Sequence, residues 1–126
     1  MGIRLIKISA VYFLIGVGIG YYMSTVHDYS LTPVHAHINL LGWGTLTLAG
    51  IIYHLFPSVG KTKLALGHFW LHNIGLPLMM IGLAFAVHGN DSYLIATIIG
   101  ANVTVLGVLL FVINILKNLK QPVEAE

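Results

Sequence analysis

Seven histidines stand against four acidic residues in a chain of 126 residues without a cysteine. That composition excludes disulfides, iron–sulfur clusters and thiolate zinc sites, so imidazole is the main ligand chemistry on offer. His35 and His37 are separated only by Ala36. On an α-helix turning about 100° per residue, positions i and i+2 point about 200° apart, so the pair cannot close on one ion from one face. Two buried histidines on opposite faces need two sites, or a group that takes imidazoles from separate helices. Haem is such a group: its iron accepts axial imidazoles and its apolar ring suits a helix bundle. Gly42 and Gly44 leave room beside this helix and Trp43 adds aromatic surface, so Gly42 and Trp43 are expected to pack on the ring. For any single membrane histidine the competing assignment is a hydrogen-bonded packing residue.

His68 and His72 are four residues apart and share a helix face, a spacing that suits zinc or copper. His54, on the preceding helix at similar depth, would complete a three-histidine metal site. No carboxylate accompanies the set, so the glutamate-dependent helical zinc-protease pattern is absent. The alternative places His54 and His68 near a membrane interface, hydrogen-bonded to water or backbone. His27 and His88 fall at the level of His35 and His37 and are reserve axial ligands for iron.

These side chains are positioned by segments that read as membrane spans. The chain is 57% hydrophobic and 8% charged, where a soluble domain carries about a quarter charged residues. A bilayer core about 30 Å thick needs roughly 20 apolar residues in a helix. Four stretches qualify, at about 5–23, 33–56, 64–87 and 93–116, separated by short polar connections. The expected fold is all-α: a four-helix up-down bundle forming one domain over 1–120, followed by a polar tail at 121–126. Thr32 is the expected N-cap of the second helix, with Pro33 in its first turn. The first stretch lacks a small-residue cleavage site and reads as a retained helix.

All six basic residues fall at one set of helix ends: Arg4 and Lys7, Lys61 and Lys63, Lys117 and Lys120. The positive-inside rule then puts both termini and the middle connection in the cytoplasm, with Asp28 and Asp91 outside. The expected location is the inner membrane of a prokaryote. The basic pairs form no stripe that could track phosphates, which excludes nucleic acid as a partner. Gly16 and Gly20, and likewise Ala96 and Gly100, form small-residue steps that permit close helix approach, or arise by chance in glycine-rich spans. Asn39, Asn73, Asn102 and Asn114 lie in apolar stretches and are expected to face other helices or a polar cavity.

The run Pro33-Val34-His35-Ala36-His37-Ile38-Asn39-Leu40-Leu41-Gly42-Trp43-Gly44 resembles the HxH helix of haem-copper oxidase subunit I, closest to the nitric oxide reductase branch. Phe69-Trp70-Leu71-His72-Asn73-Ile74-Gly75-Leu76-Pro77-Leu78-Met79-Met80 is similar to the FWxxNxGLxxM pattern of the same branch, and the two occur in the same order on consecutive helices. The whole sequence looks like the small four-helix proteins labelled subunit I-like. The resemblance implies haem, of b type, with His35 matching the high-spin haem ligand and His37 the low-spin one. It also implies that this chain equals one third of the twelve-helix subunit. No counterpart of the family's three-histidine copper site or its tyrosine is present, and position 72 is not a ligand in the family motif. A homotrimer would rebuild a twelve-helix ring, with His35 of one copy facing His37 of the next across bis-histidine haem.

Three functions follow as expectations. The first is a cytochrome-like protein for electron transfer, or for redox or gas sensing, working with an electron-transfer partner. The second is a minimal nitric oxide or oxygen reductase carrying a non-haem metal. The third is a non-catalytic structural subunit of a respiratory complex. A stand-alone oxidase is not expected.

Overall fold

A computed structural model describes residues 1–120, to which the following statements refer; the tail expected at 121–126 lies outside them. The described chain is helical, without strands. Four helices are long and apolar enough to cross a membrane: α1 (Gly2–Val26), α2 (Thr32–Leu55), α3 (Lys63–Ala86) and α4 (Leu94–Asn118). They match the four expected stretches to within a turn at each end. A single helical turn, Pro57–Gly60, occupies the α2–α3 connection, and a 3-10 turn at Asp91–Tyr93 leads into α4.

The helix ends follow local chemistry. α1 stops where His27 adopts a left-handed backbone, φ 53°, a conformation that cannot continue a right-handed helix. Thr62 caps α3, its hydroxyl accepting the Ala65 N–H at 3.0 Å. Thr32 does not cap α2 as expected: the N-cap is Leu31, and the Thr32 hydroxyl instead donates to the Tyr29 carbonyl at 2.6 Å.

Within α2 the backbone widens into a π-helix over Ile38–Thr45, directly after His37. Side chains supplement the carbonyls around this segment. The Asn39 amide donates to the His35 carbonyl at 2.9 Å, and the Thr45 hydroxyl to the Leu40 carbonyl at 2.9 Å. Nothing in the apolar pattern signals this change of pitch. π segments of this kind concentrate at functional sites.

The helices associate as close antiparallel pairs. In the α1–α2 pair, a Cβ at Gly2 would lie 2.5 Å from the Gly50 carbonyl oxygen, and one at Gly16 would meet the Asn39 side chain. In the α3–α4 pair, Gly75 lies against Thr104, Gly82 against Thr97 and Gly100 against the Met79 backbone. The small-residue step on α4 is therefore built from Thr97, Gly100, Thr104 and Gly107, and half-buried Ala96 is not its partner residue. Two apolar clusters connect the pairs. One contains Leu5, Leu46, Tyr53, Val59 and Ala65, and the other Val34, Ile38, Leu76, Met79 and Met80. Leu14, Leu40, Ile95 and Leu116 are exposed, as suits surfaces that face lipid rather than water.

Candidate functional site

His35 and His37 leave α2 in different directions, as their spacing requires. The His35 ring is half-buried against α1, where the missing Cβ of Gly20 makes room for it: a methyl there would stand 2.8 Å from its Cε1. His35 Nδ1 lies 2.8 Å from the Gly16 carbonyl oxygen, and the Asn39 amide, 3.3 Å from the same nitrogen, packs beside it. His37 is exposed, with Nδ1 2.7 Å from the Pro33 carbonyl oxygen of its own helix. A carbonyl can only accept, so each ring carries its proton on Nδ1. Each Nε2 then holds a lone pair, and neither makes a hydrogen bond to another described residue.

His88 follows α3, at the same end of the molecule as His35 and His37. Its Nδ1 is 2.7 Å from the Ala84 carbonyl oxygen, and its Nε2 is 3.4 Å from the Ser30 hydroxyl. Beside it lies an apolar recess lined by Leu31, Ala84, Phe85 and His88. Asp28 in the α1–α2 loop accepts the Ser30 N–H at 3.0 Å. That bond, with smaller contributions from the Ser30 hydroxyl and then His88, holds its carboxyl below the usual aspartate range. His27 is exposed at the C-terminus of α1 and makes no hydrogen bond to a described residue.

Trp43 packs on Phe13 of α1, ring centroids 4.6 Å apart. Gly42 does not leave open space: the Tyr12 ring lies over it, so a Cβ would be 2.5 Å from Tyr12 Cγ. The room expected beside α2 is therefore filled by α1 at Gly42. At Gly44 it is freer, with only the Asn39 carbonyl oxygen near, at 3.5 Å.

In the other half of the molecule His68 and His72 are both fully buried, ring centroids 5.3 Å apart and nearly perpendicular. His54 does not join them. It is exposed and faces the start of α1 beside Gly2, because the α2 face turned toward α3 at this level carries Tyr53. The Tyr53 hydroxyl lies 2.9 Å from His68 Nδ1. The three-histidine set expected here is thus not assembled, and among the described residues no three His, Cys, Asp or Glu side chains are grouped to hold a metal ion. His72 Nε2 lies 3.0 Å from the Leu41 carbonyl oxygen in the π segment.

Asn39 and Asn114 contact other helices as expected, Asn114 being fully buried between Val59 and Thr62. Asn73 and Asn102 instead turn back on their own helices, donating to the Phe69 and Ile98 carbonyls. Tyr12, Tyr53 and Gly20 are contributors to these sites that sequence reasoning missed. A tyrosine in an apolar stretch carries no mark of its partner, whereas Gly20 was visible as half of a small-residue step.

Compared with known proteins, no family model, no curated protein and no solved structure matches this chain.

Proposed function

We propose that this chain is a haem b-binding membrane protein of cytochrome type, with His35 and His37 as axial ligands, serving electron transfer or redox or gas sensing. One observation carries the reading. Both imidazoles of the pair direct Nδ1–H to backbone carbonyls, which leaves a lone pair on each Nε2. Ligating histidines are characteristically fixed this way, the second nitrogen holding ring orientation and tautomer. The donor set therefore fits iron. When bound, haem supplies one-electron chemistry; the chain supplies the imidazoles, their tautomer and an apolar surround.

His37 stands on the outer surface of the protomer, so a ring on it is enclosed only when a second copy covers that face. This favours haem shared between protomers in a homotrimer. The four helices are then an up-down bundle equivalent to one third of a haem-copper oxidase subunit I. The basic residues lie at the end of the molecule where Gly2 meets His54 and Thr62 meets Asn114. By the positive-inside rule that end is cytoplasmic, in the inner membrane of a prokaryote. Single-cysteine labelling at Lys61 and Asp91 tests this: reagent confined to the outside should reach only the latter.

The direct test is a pyridine haemochrome spectrum with a haem-to-protein ratio, on the wild type and on His35→Ala and His37→Ala. Each variant should lose most of its haem or its low-spin spectrum. Full haem with an unchanged spectrum in both refutes the ligand assignment.

A further inference from the structure

His68 Nε2 and His72 Nδ1 are the buried side-chain nitrogens left without a hydrogen-bond partner among the described residues. They belong to neighbouring rings in an apolar interior, where an unpaired polar atom is costly. Their protonation can be read from what surrounds them. The Leu41 carbonyl only accepts, so His72 carries its proton on Nε2, and its Nδ1 is an acceptor.

Tyr53 is buried, and the hydrogen-bond partner of its hydroxyl is His68 Nδ1, 2.9 Å away. A phenol proton aimed anywhere else would be buried unpaired, so it is directed to that nitrogen. His68 then carries its proton on Nε2. The two unpartnered atoms are consequently one donor and one acceptor.

We propose that a single ordered water bridges His68 Nε2–H and His72 Nδ1, closing a buried hydrogen-bonded clamp that runs from Tyr53 of α2 across α3 to the π segment of α2. Water supplies both the acceptor and the donor that the pair requires, in two bonds of about 2.9 Å each. The ring centroids lie 5.3 Å apart, a separation of the size that one bridging water spans. A metal ion would need two lone pairs, but the donor directions give only one. It would also bury a charge with no carboxylate in the cluster to balance it. Every bond then points one way: Tyr53 to His68, His68 through water to His72, and His72 to Leu41. The chain ends on a carbonyl that cannot take up and pass on a proton, so it is a clamp and not a proton conduit. Through it His72 is a positioning residue for the backbone that follows His37.

The test needs no haem, so its outcome is separate from that of the ligand assignment. In histidine-labelled protein in lipid nanodiscs, 15N NMR should find His68 and His72 both neutral and protonated on Nε2. A water cross-peak should appear at the His68 ring proton, and silver(I) or zinc should leave both rings unchanged. A proton on His72 Nδ1, no water contact, or a shift on adding metal each overturns the proposal. In His72→Phe, amide exchange across 41–45 should rise roughly tenfold or more as the Leu41 carbonyl loses its donor. His72→Gln, whose amide can both donate to Leu41 and accept from the water, should restore slow exchange. Equal exchange in the wild type and the Phe variant refutes the clamp.

Discussion

A methyl group is enough to test how His35 is held. Gly20 gives up its Cβ to the imidazole, and an alanine there would place carbon 2.8 Å from His35 Cε1 and 3.5 Å from Nε2. The ring can avoid it only by leaving the Gly16 carbonyl that fixes its tautomer. If His35 ligates haem as proposed, Gly20→Ala should therefore broaden or shift the low-spin spectrum and weaken haem retention several-fold. Gly18→Ala, two residues away with no atom within 4 Å of the new carbon, should leave the spectrum unchanged. In the loop that follows α1, Asp28 has its own titration. Its carboxyl is held low by the Ser30 N–H, so the contact is fully formed above the ordinary aspartate value and is lost as pH falls through the lowered one. Carbon-13 NMR of the Asp28 carboxyl should show a midpoint below the ordinary value, and order at the Ser30 amide should disappear over that same interval.

The helices divide into parts that were legible in the sequence and parts that were not. Hydropathy marks α1 to α4 because a span in lipid has few ways to satisfy its backbone. The opposed directions of His35 and His37 followed from helical pitch alone. The π segment did not, because a widened turn depends on which side chains meet the freed carbonyls, and Asn39 and Thr45 look ordinary in sequence. His54 was paired with His68 and His72 by depth, but depth does not give rotation, and the rotation of α2 puts Tyr53 there instead. The pairing of α3 with α4 is the clearest consequence of sequence for packing. Gly75 and Gly100 meet backbone on the facing helix, which cannot rotate away as a side chain can. Gly100→Ala should cost about 1–3 kcal/mol by overpacking, read as reduced resistance to unfolding in denaturing detergent. It should cost more than Gly18→Ala, where the added carbon meets open space and helix propensity gains slightly.

For the molecule as a whole, the proposed haem site turns on whether its two ligands come from one copy or from two. His35 is turned into its own α1 while His37 is presented outward, so an iron held by both is most simply reached with His35 of one protomer and His37 of its neighbour. Mutational complementation separates the cases. His35→Ala protomers retain His37, and His37→Ala protomers retain His35. Either variant alone has no complete site under either arrangement. Co-expressed in equal amounts, shared sites should recover roughly a quarter of the wild-type bis-histidine haem, since random mixing around a closed cyclic ring brings the two intact ligands together that often. Sites contained within one protomer would recover none. Native mass measurement on the mixed sample should find haem in hetero-oligomers of both variants, and haem carried by intact monomers would exclude a shared site.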